Sequence, residues 1–240
     1  MNKALLTALL FFTLLAPAVV SAVAPVSAVE KAAATTTTVD RTAIAGQIQQ
    51  TYDRMHSLAF NFHQTTSGEM TGRPQRGAGH SVFLRKANVH KMRWEYTAPD
   101  EQIIVSDGIT LSMYFKKLQQ MIVAPAERIS ADLTSAFFSG RGRLTDDFTI
   151  TEPDEEYSEA VAGMTVLKLT PKRAEQVENI HIWVDSKDLI RRLALRDHFG
   201  TVTTMNLSDI QVDALSGLST SELDSLFTFT PPKGTEIIKQ

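Results

Sequence analysis

The stretch "KMRWEYTAPDEQIIVSDG" (Lys91–Gly108) decides how the rest of this sequence is interpreted. Met92, Trp94 and Tyr96 alternate with charged residues. Because successive side chains of a β-strand point to opposite faces, a strand here places three large apolar groups on one face. The "SDG" that follows predicts a tight hairpin, since Asp-Gly tolerates positive φ. The wide apolar face is either an ordinary core or the lining of a cavity that holds an apolar ligand.

Alternation of apolar and polar residues continues on both sides of this stretch and predicts a series of short strands joined by hairpins. Gly68–Gly79 is rich in glycine and predicts a turn-rich connection. The last apolar alternation, "FTFTPPKGTEII", predicts a final strand that Pro231-Pro232 stops. The other predicted strands are Ser81–Lys86, Met92–Tyr96, Gln102–Ser106, Thr110–Phe115, Gln119–Ala124, Phe148–Ile150, Val166–Leu169, Ile180–Val184 and a pair around His198-Phe199-Gly200.

Two segments have helical spacing instead. Asp40 can cap a helix that carries Ile44, Ile48 and Tyr52 on one face. A second helical segment interrupts the strands between residues 125 and 140. A long antiparallel sheet curls, and helices can pack on its concave side. The predicted fold class is therefore α+β: an incomplete, half-open antiparallel β-barrel with a helical lid and an N-terminal amphipathic helix.

The N-terminus has the features of a secretory signal peptide. Lys3 precedes an apolar run, and small residues follow it. We expect residues 1–24 to be removed, although the cleavage site is left open. Residues 25–39 are small, polar and of low complexity, which predicts a flexible leader before one domain at 40–240. The expected location is the periplasm.

Composition excludes several classes of protein. The chain has no cysteine, so it offers no residue for lipidation after signal cleavage. The net charge is −3 without a basic stripe, and nucleic acid is therefore not an expected partner. No nucleophile elbow, zinc-protease, P-loop or dinucleotide motif occurs, and the six histidines lack metal-ligand spacing. No catalytic residue, metal or cofactor is predicted.

Several motifs follow one another in an order typical of one family. They are "FNFHQT", "FLRK…KMRWEYTAPDEQIIVSDGITLSMY", "RIS…FFSGRG", "LKLTPK", "IHIWVDSKDLIRRLALRDHFG" and "FTFTPPKG". Together they resemble the periplasmic outer-membrane lipoprotein carrier family, LolA, over nearly everything from Asp40 to Ile238. The resemblance implies an incomplete β-barrel under a helical lid, with the acyl chains of a lipoprotein between them. It also implies two partners, an inner-membrane ABC-type release complex and an outer-membrane acceptor, no cofactor, and a monomer.

The same resemblance gives the strand of the opening stretch and the helical segment a role as pocket lining and lid. Any one of these residues could equally be plain core. The predicted lipid-binding residues are Phe60, Phe62, Met92, Trp94, Tyr96, Leu111, Met113, Ile129, Leu133, Phe137, Phe138 and Ile182.

Family members carry an arginine that is thought to fasten the lid, and the best match here is Arg85. A guanidinium has five donors and can join several carbonyls. The proline that usually follows is missing, and Arg85 lies about three residues further from Trp94 than the family pattern has it. Lys86 or Arg93 could take the role, and Arg85 could also be a solvated surface residue.

Other functions remain open from the sequence. A carrier or sensor of another lipid or glycolipid in the cell envelope is the alternative, because periplasmic envelope-stress regulators share a similar half-barrel. Those regulators have an additional domain, for which this sequence leaves no room after its last motif. A lipid hydrolase is disfavoured by the missing nucleophile motif. The pathway's outer-membrane receptor is normally a lipoprotein, which the lack of cysteine excludes.

Overall fold

The computed structural model describes residues 40–86, 89–127, 133–158, 161, 163–173 and 176–240. Ile129 and the predicted signal and leader segments therefore lie outside the described residues. None of the helices in the described ranges is long and apolar enough to cross a membrane.

The helices are α1 (Arg41–Arg54), α2 (Leu133–Phe138), α3 (Leu144–Asp147) and α4 (Thr220–Leu226). The strands are β1 (Ser57–Ser67), β2 (Gln75–Lys86), β3 (Val89–Ala98), β4 (Gln102–Ser106), β5 (Thr110–Phe115), β6 (Gln120–Pro125), β7 (Phe148–Thr151), β8 (Thr165–Pro171), β9 (Val177–Val184), β10 (Ile190–Asp197), β11 (Val202–Val212) and β12 (Glu236–Lys239).

All these strands form one open sheet of twelve strands in the order β12-β6-β5-β4-β3-β2-β1-β11-β10-β9-β8-β7. Neighbouring strands are antiparallel except β12, which pairs with β6 in parallel. A flat sheet of this size would be about 50 Å wide. Phe137 and Phe138 of α2 nevertheless belong to one buried cluster with residues of β1 and of every strand that follows it in the sheet order, as far as β7 at the edge. The sheet therefore curls around α2, and the predicted half-open barrel is confirmed.

The first helix forms where the sequence predicts it. The Asp40 side chain accepts a hydrogen bond from the Ala43 amide at 3.0 Å and caps the N-terminus of α1. Ile48 and Tyr52 are fully buried against the sheet. The Tyr52 hydroxyl accepts a hydrogen bond from the Ile190 amide at 3.0 Å. Burial raises the pKa of Tyr52 above its ordinary value, so this hydroxyl stays neutral and keeps α1 attached to β10.

The sheet has two differently covered faces. The inner face carries Phe60, Phe83 and Trp94 and is covered by α1 and α2. On the outer face, a separate cluster joins Leu84 and Val105 of the sheet to Phe227, which follows α4. The alternation in β2 and β4 therefore divides their side chains between two apolar clusters, whereas β3 places charged residues on its outer face.

Two sequence predictions are wrong. Gly68–Gly79 is not a connection throughout, since β2 begins at Gln75. The glycine-rich part joins the sheet because bulky rings occupy the space beside it, as described below. "FTFT" is not the final strand: Phe227 caps the previously unpredicted α4, and Phe229 packs against Tyr114 with ring centroids 5.0 Å apart. The last strand is β12, beyond the two prolines.

Candidate ligand pocket on the inner face

Aromatic rings from three adjacent strands meet at the centre of the inner face. Trp94 of β3 lies 4.9 Å from Phe62 and 5.9 Å from Phe60, measured between ring centroids. Phe83 of β2 lies 6.0 Å from Trp94, in an edge-to-face arrangement. Tyr96 extends the group, 5.0 Å from Phe62. Such offset and edge-to-face geometries are favourable for aromatic pairs. We call these five residues the aromatic floor.

Small residues on β2 make room for the aromatic floor. Gly79 lies opposite Phe62 on one side and Tyr96 on the other. A Cβ at this position would lie 1.8 Å from the Glu95 carbonyl oxygen and 2.9 Å from the Phe62 ring, so only glycine fits. Ser81 lies opposite Phe60 and Trp94 in the same way. The glycine-rich segment therefore belongs to the strand because it lets the rings lie flat across it.

Helix α2 fills the space above the aromatic floor. Phe138 lies 5.1 Å from Phe60 and 5.8 Å from Phe83, and Phe137 lies 4.8 Å from Tyr52. A cavity beside α2 has a volume of about 30 Å³, far below the roughly 300–1,000 Å³ of an ordinary ligand pocket. An acyl chain therefore does not fit in this cavity unless α2 moves. The cavity is lined by Phe137, Phe138, Leu144, Phe148, Leu169, Ile180, Ile182, Ile190 and Leu193.

The inner face becomes polar towards the end of β1. The Tyr96 hydroxyl donates to the Gln64 amide oxygen at 3.1 Å, and the hydroxyls of Thr66 and Thr203 are 3.0 Å apart. All four residues are partly exposed. The pocket therefore has an apolar end under α2 and a polar, more open end.

Arg85 lies buried on the inner face beside both helices. Its guanidinium donates to the Tyr52 carbonyl at the end of α1 and lies 3.7 Å from the Asp53 carboxylate. It also lies against Gly140, just after α2: a Cβ on Gly140 would be 2.5 Å from the Arg85 Nε atom. Burial lowers the pKa of Arg85, and Asp53 partly offsets this effect. The position suits a residue that holds α1 and the end of α2 together.

The alternative lid arginine has a different place. The Arg93 guanidinium lies on the outer face and donates to the carbonyl oxygens of Leu226 at 3.0 Å and Thr228 at 3.2 Å. It also pairs with Glu95. Arg93 therefore fastens the segment after α4 and not α2. The Lys86 side chain lies outside the described part of the structure.

The structure brings most of the predicted lining residues together. Phe60, Phe62, Met92, Trp94, Leu111, Phe137, Phe138 and Ile182 are buried in one cluster, and Tyr96 and Met113 pack against it partly exposed. Leu133 is the first residue of α2, and Ile129 lies outside the described residues. The residues that sequence reasoning missed include Tyr52, Phe83, Leu193 and Met205. Phe83 could have been predicted as a lining residue, because alternation within the predicted strand Ser81–Lys86 places it on the same face as Ser81 and Arg85.

One buried titratable group lies away from the pocket, on the outer face of β9. His181 accepts a hydrogen bond at Nε2 from the Asp154 amide at 3.2 Å, and its ring lies 4.3 Å from that of Tyr157. Burial lowers the pKa of His181 to about 4 in spite of the nearby Asp154 carboxylate. This histidine is therefore neutral at neutral pH and serves as an acceptor.

Among the side chains that the structure describes, no group of three or more histidine and acidic residues is placed to hold a metal ion. What the geometry provides is a half-open barrel with an aromatic floor and a short helix over it.

Comparison with known proteins gives this fold a family. The profile of the outer membrane lipoprotein carrier protein LolA matches residues 53–230, and the chain belongs to this family. The outer-membrane lipoprotein carrier protein of Dechloromonas aromatica is 28% identical over 198 residues, covering 81% of this chain and 88% of the relative. That of Cupriavidus pinatubonensis is 30% identical over 190 residues, covering 74% and 82%. A crystal structure of a LolA superfamily protein from Nitrosomonas europaea aligns with a TM-score of 0.42 at 18% identity, covering 80% of this chain and 98% of that one.

Proposed function

We propose that this protein binds the acyl chains of lipoproteins released from the inner membrane and carries them across the periplasm to the outer membrane. Family membership supports the cargo class, because the relatives are outer-membrane lipoprotein carrier proteins. The observation that carries the proposal is the aromatic floor under α2, where Phe138 packs on Phe60 and Phe83. The N-terminal signal features support export to the periplasm, and the proposed role is that of a carrier and not of an enzyme.

The energetics favour exchange between α2 and the cargo. Burying an acyl chain is worth about 0.8 kcal/mol per methylene, so a chain of about sixteen carbons gains about 12 kcal/mol relative to water. The chain is equally buried in a membrane, so a carrier must also release it. Phe137 and Phe138 can cover the aromatic floor when the acyl chain leaves, because both are apolar and buried there. Their return keeps the empty carrier's apolar surface out of water and makes release possible.

The partners follow from this proposed route. Cargo would come from an ABC-type release complex in the inner membrane, where ATP is consumed, and go to an acceptor at the outer membrane. The polar end of the inner face, with Gln64, Thr66 and Thr203, suits the more polar part of a lipoprotein near its acylated terminus. The carrier itself needs no cofactor in this scheme.

A release assay tests the proposal. Purified mature protein is added to spheroplasts that hold labelled lipoproteins, together with a matched inner-membrane release complex, and soluble one-to-one complexes are counted. We expect release by the native protein and loss of release for Trp94→Glu, since this change places a charge on the aromatic floor. Ile103→Glu, a similar change at a partly buried position of the outer cluster, is the matched control and should keep release.

No release by a properly folded native protein would contradict the proposal. The alternative, a carrier or sensor of another lipid or glycolipid, would then be tested by extracting and identifying the lipid that copurifies. Release by a folded Trp94→Glu variant would show instead that this strand does not line the pocket.

A further inference from the structure

Two polar atoms on the aromatic floor are buried and have no hydrogen-bond partner among the described residues. They are the Ser81 hydroxyl oxygen and the Trp94 indole nitrogen. Ser81 is 0% exposed and Trp94 is 6% exposed. Buried polar groups in proteins are nearly always hydrogen-bonded, because an unpaired one pays its full desolvation cost. The two atoms therefore need a hydrogen-bond partner that the described residues do not supply in this arrangement.

The two side chains are neighbours on the same face. Ser81 of β2 lies directly opposite Trp94 of β3, and such pairs have their Cβ atoms about 5 Å apart. Phe60 flanks Ser81 on the other side, opposite it on β1. Phe138 of α2 covers this place, packing on both Phe60 and Phe83. When Phe138 withdraws, Ser81 and Trp94 become accessible side by side at the bottom of the pocket.

We propose that Ser81 and Trp94 together bind the carbonyl oxygen of an acyl ester or amide, once α2 has moved aside. This inference rests on the proposed function and specifies the chemistry of its ligand. An indole N–H can only donate, and a serine hydroxyl can donate as well, so the pair needs an acceptor. The carbonyl is the acceptor that an acyl chain carries next to its hydrocarbon part.

A charged acceptor does not fit this place. A buried carboxylate or phosphate requires a cation beside it. Arg85 lies on the same face, but it already donates to the Tyr52 carbonyl and faces the Asp53 carboxylate. A neutral carbonyl needs only the two donors. Such a contact also sets the depth of the chain, with its methylenes against the rings of Phe60, Phe62 and Phe83.

The unpaired atoms also bear on the position of α2. With α2 in place, both polar atoms are buried without partners, which destabilises the closed arrangement. With an acyl carbonyl bound, both are satisfied. The pair therefore favours ligand binding in two ways, by penalising the closed arrangement and by stabilising the bound one.

The experiment compares two ligands that differ only in the carbonyl. One is a synthetic diacylated cysteinyl lipopeptide with two ester-linked chains, and the other is its analogue with two ether links and the same free amino terminus. We expect the native protein to bind the carbonyl form about 3–10-fold more tightly, as one or two neutral hydrogen bonds would give. Ser81→Ala should bring this ratio close to one: it weakens both ligands by stabilising the closed arrangement, and it weakens the carbonyl form further by removing a donor.

Two further variants complete the test. Trp94→Phe keeps an aromatic ring without the N–H, and it should reduce the same ratio even if Ser81→Ala folds poorly. Ser112→Ala, on the outer face of β5, is the matched control and should keep the ratio of the native protein. Because Ser81→Ala removes an unpaired buried hydroxyl, it should also raise the melting temperature of the ligand-free protein by about 2–4 °C.

The possible failures are distinguishable. Equal affinity of the native protein for both ligands would overturn the inference and leave the proposed function standing. The same holds if Ser81→Ala and Trp94→Phe weaken both ligands by the same factor. If the native protein binds neither lipopeptide, the proposed function fails and the inference fails with it.

Discussion

Both faces of the sheet are covered at strands β2, β3 and β4, yet they are covered differently. On the outer face, Arg93 donates to one backbone carbonyl in the last turn of α4 and to one just after it, and a reciprocal capping box at Ser219 and Glu222 begins α4. On the inner face, the cover is a six-residue helix, and Ser81 and Trp94 beneath it keep unpaired polar atoms. The polar groups around the outer cover, which is α4 with the residues after it, are hydrogen-bonded. Ser81 and Trp94 under the inner cover, which is α2, are not. This difference indicates that the outer cover stays in place and the inner cover can be exchanged.

Chain connectivity supports the same distinction. The outer segment leaves the sheet from β11 and returns to it as β12, which extends the edge beside β6. It therefore crosses strands that remain hydrogen-bonded to one another. Helix α2 instead follows β6 and precedes β7, which lie near opposite ends of the sheet order. It bridges the open side of the half-barrel, where no sheet hydrogen bonds need to break when it moves.

The largest expected effect contrasts one phenylalanine from each cover. Phe227 and Phe138 are each 1% exposed. Phe227→Ala should lower the free energy of unfolding by about 3–5 kcal/mol, because the outer cluster has no mobile part to fill the cavity. Phe138→Ala should cost less, about 1–2 kcal/mol, since α2 can shift inwards. Urea unfolding measures both, and only Phe138→Ala should increase uptake of an apolar dye. Equal losses with equal dye uptake would contradict the distinction between the two covers.

Acid should destabilise the outer face around His181 of β9, away from α4. The His181 pKa is lowered from 6.5 to about 4 in the folded protein, so the unfolded chain takes up a proton in this interval and the folded protein does not. The contribution of neutral His181 to the free energy of unfolding is therefore fully present above about pH 6.5. It is lost as the pH falls towards about 4, by about 3 kcal/mol in all. His181→Gln keeps an acceptor for the Asp154 amide but cannot be protonated, and it should flatten this decrease.

Unfolding curves collected at pH 4, 5, 6 and 7 measure this effect. His63→Gln, at an exposed position of β1, is the control and should retain the pH dependence of the native protein. If His181→Gln retains it as well, the acid sensitivity comes from another group. His90, opposite Arg85 on the inner face, also has a pKa that burial lowers. The difference between the native protein and His181→Gln, and not the whole decrease, therefore measures the contribution of His181.

The two arginines provide a smaller and more direct comparison. Arg85→Leu should cost about 1–3 kcal/mol, since it leaves the Tyr52 carbonyl without this donor. It should also loosen α1 and the end of α2 and increase dye binding at the inner face. Arg93→Leu should have a similar cost on the outer face, where it frees the Leu226 and Thr228 carbonyls.

Competition distinguishes the two variants. Dye bound by Arg85→Leu should be displaced by an acylated lipopeptide, because the dye occupies the pocket. Dye bound by Arg93→Leu should not be displaced, because it lies under α4. An unchanged level of dye binding in Arg85→Leu would show that Arg85 does not control access to the inner face.

The sequence could predict the half-barrel because its information is local. Alternation in Met92, Trp94 and Tyr96 gives the strand, and Asp107-Gly108 gives the hairpin, with Asp107 accepting from the amides of Ile109 and Thr110 at 2.8 Å. It also predicted much of the buried inner cluster, from the same alternation. The role of these buried residues in binding lipid remains a prediction.

Other features depend on contacts between distant segments, which no local pattern shows. Gly77 and Gly79 look like turn residues, and only the rings of the neighbouring strands explain why they belong to β2. Arg93 was a candidate for fastening the lid, although alternation places it on the face opposite Trp94. The sequence does not show that the end of α4 covers that face. Likewise, "FTFT" alternates like a strand, although Phe227 and Phe229 are spaced by the end of a helix and the extended chain after it.

The smallest expected effect concerns the ion pair that links α4 to β3. Lys91 lies 2.8 Å from Asp224, whose side chain is 60% exposed. An exposed pair of this kind contributes about 0–1 kcal/mol. Asp224→Ala should therefore change the free energy of unfolding by less than about 1 kcal/mol and leave dye binding unchanged, both in low salt and at 1 M salt. A loss comparable to that of Phe227→Ala would show that charge, and not apolar packing, holds the outer cover, and that salt could release α4.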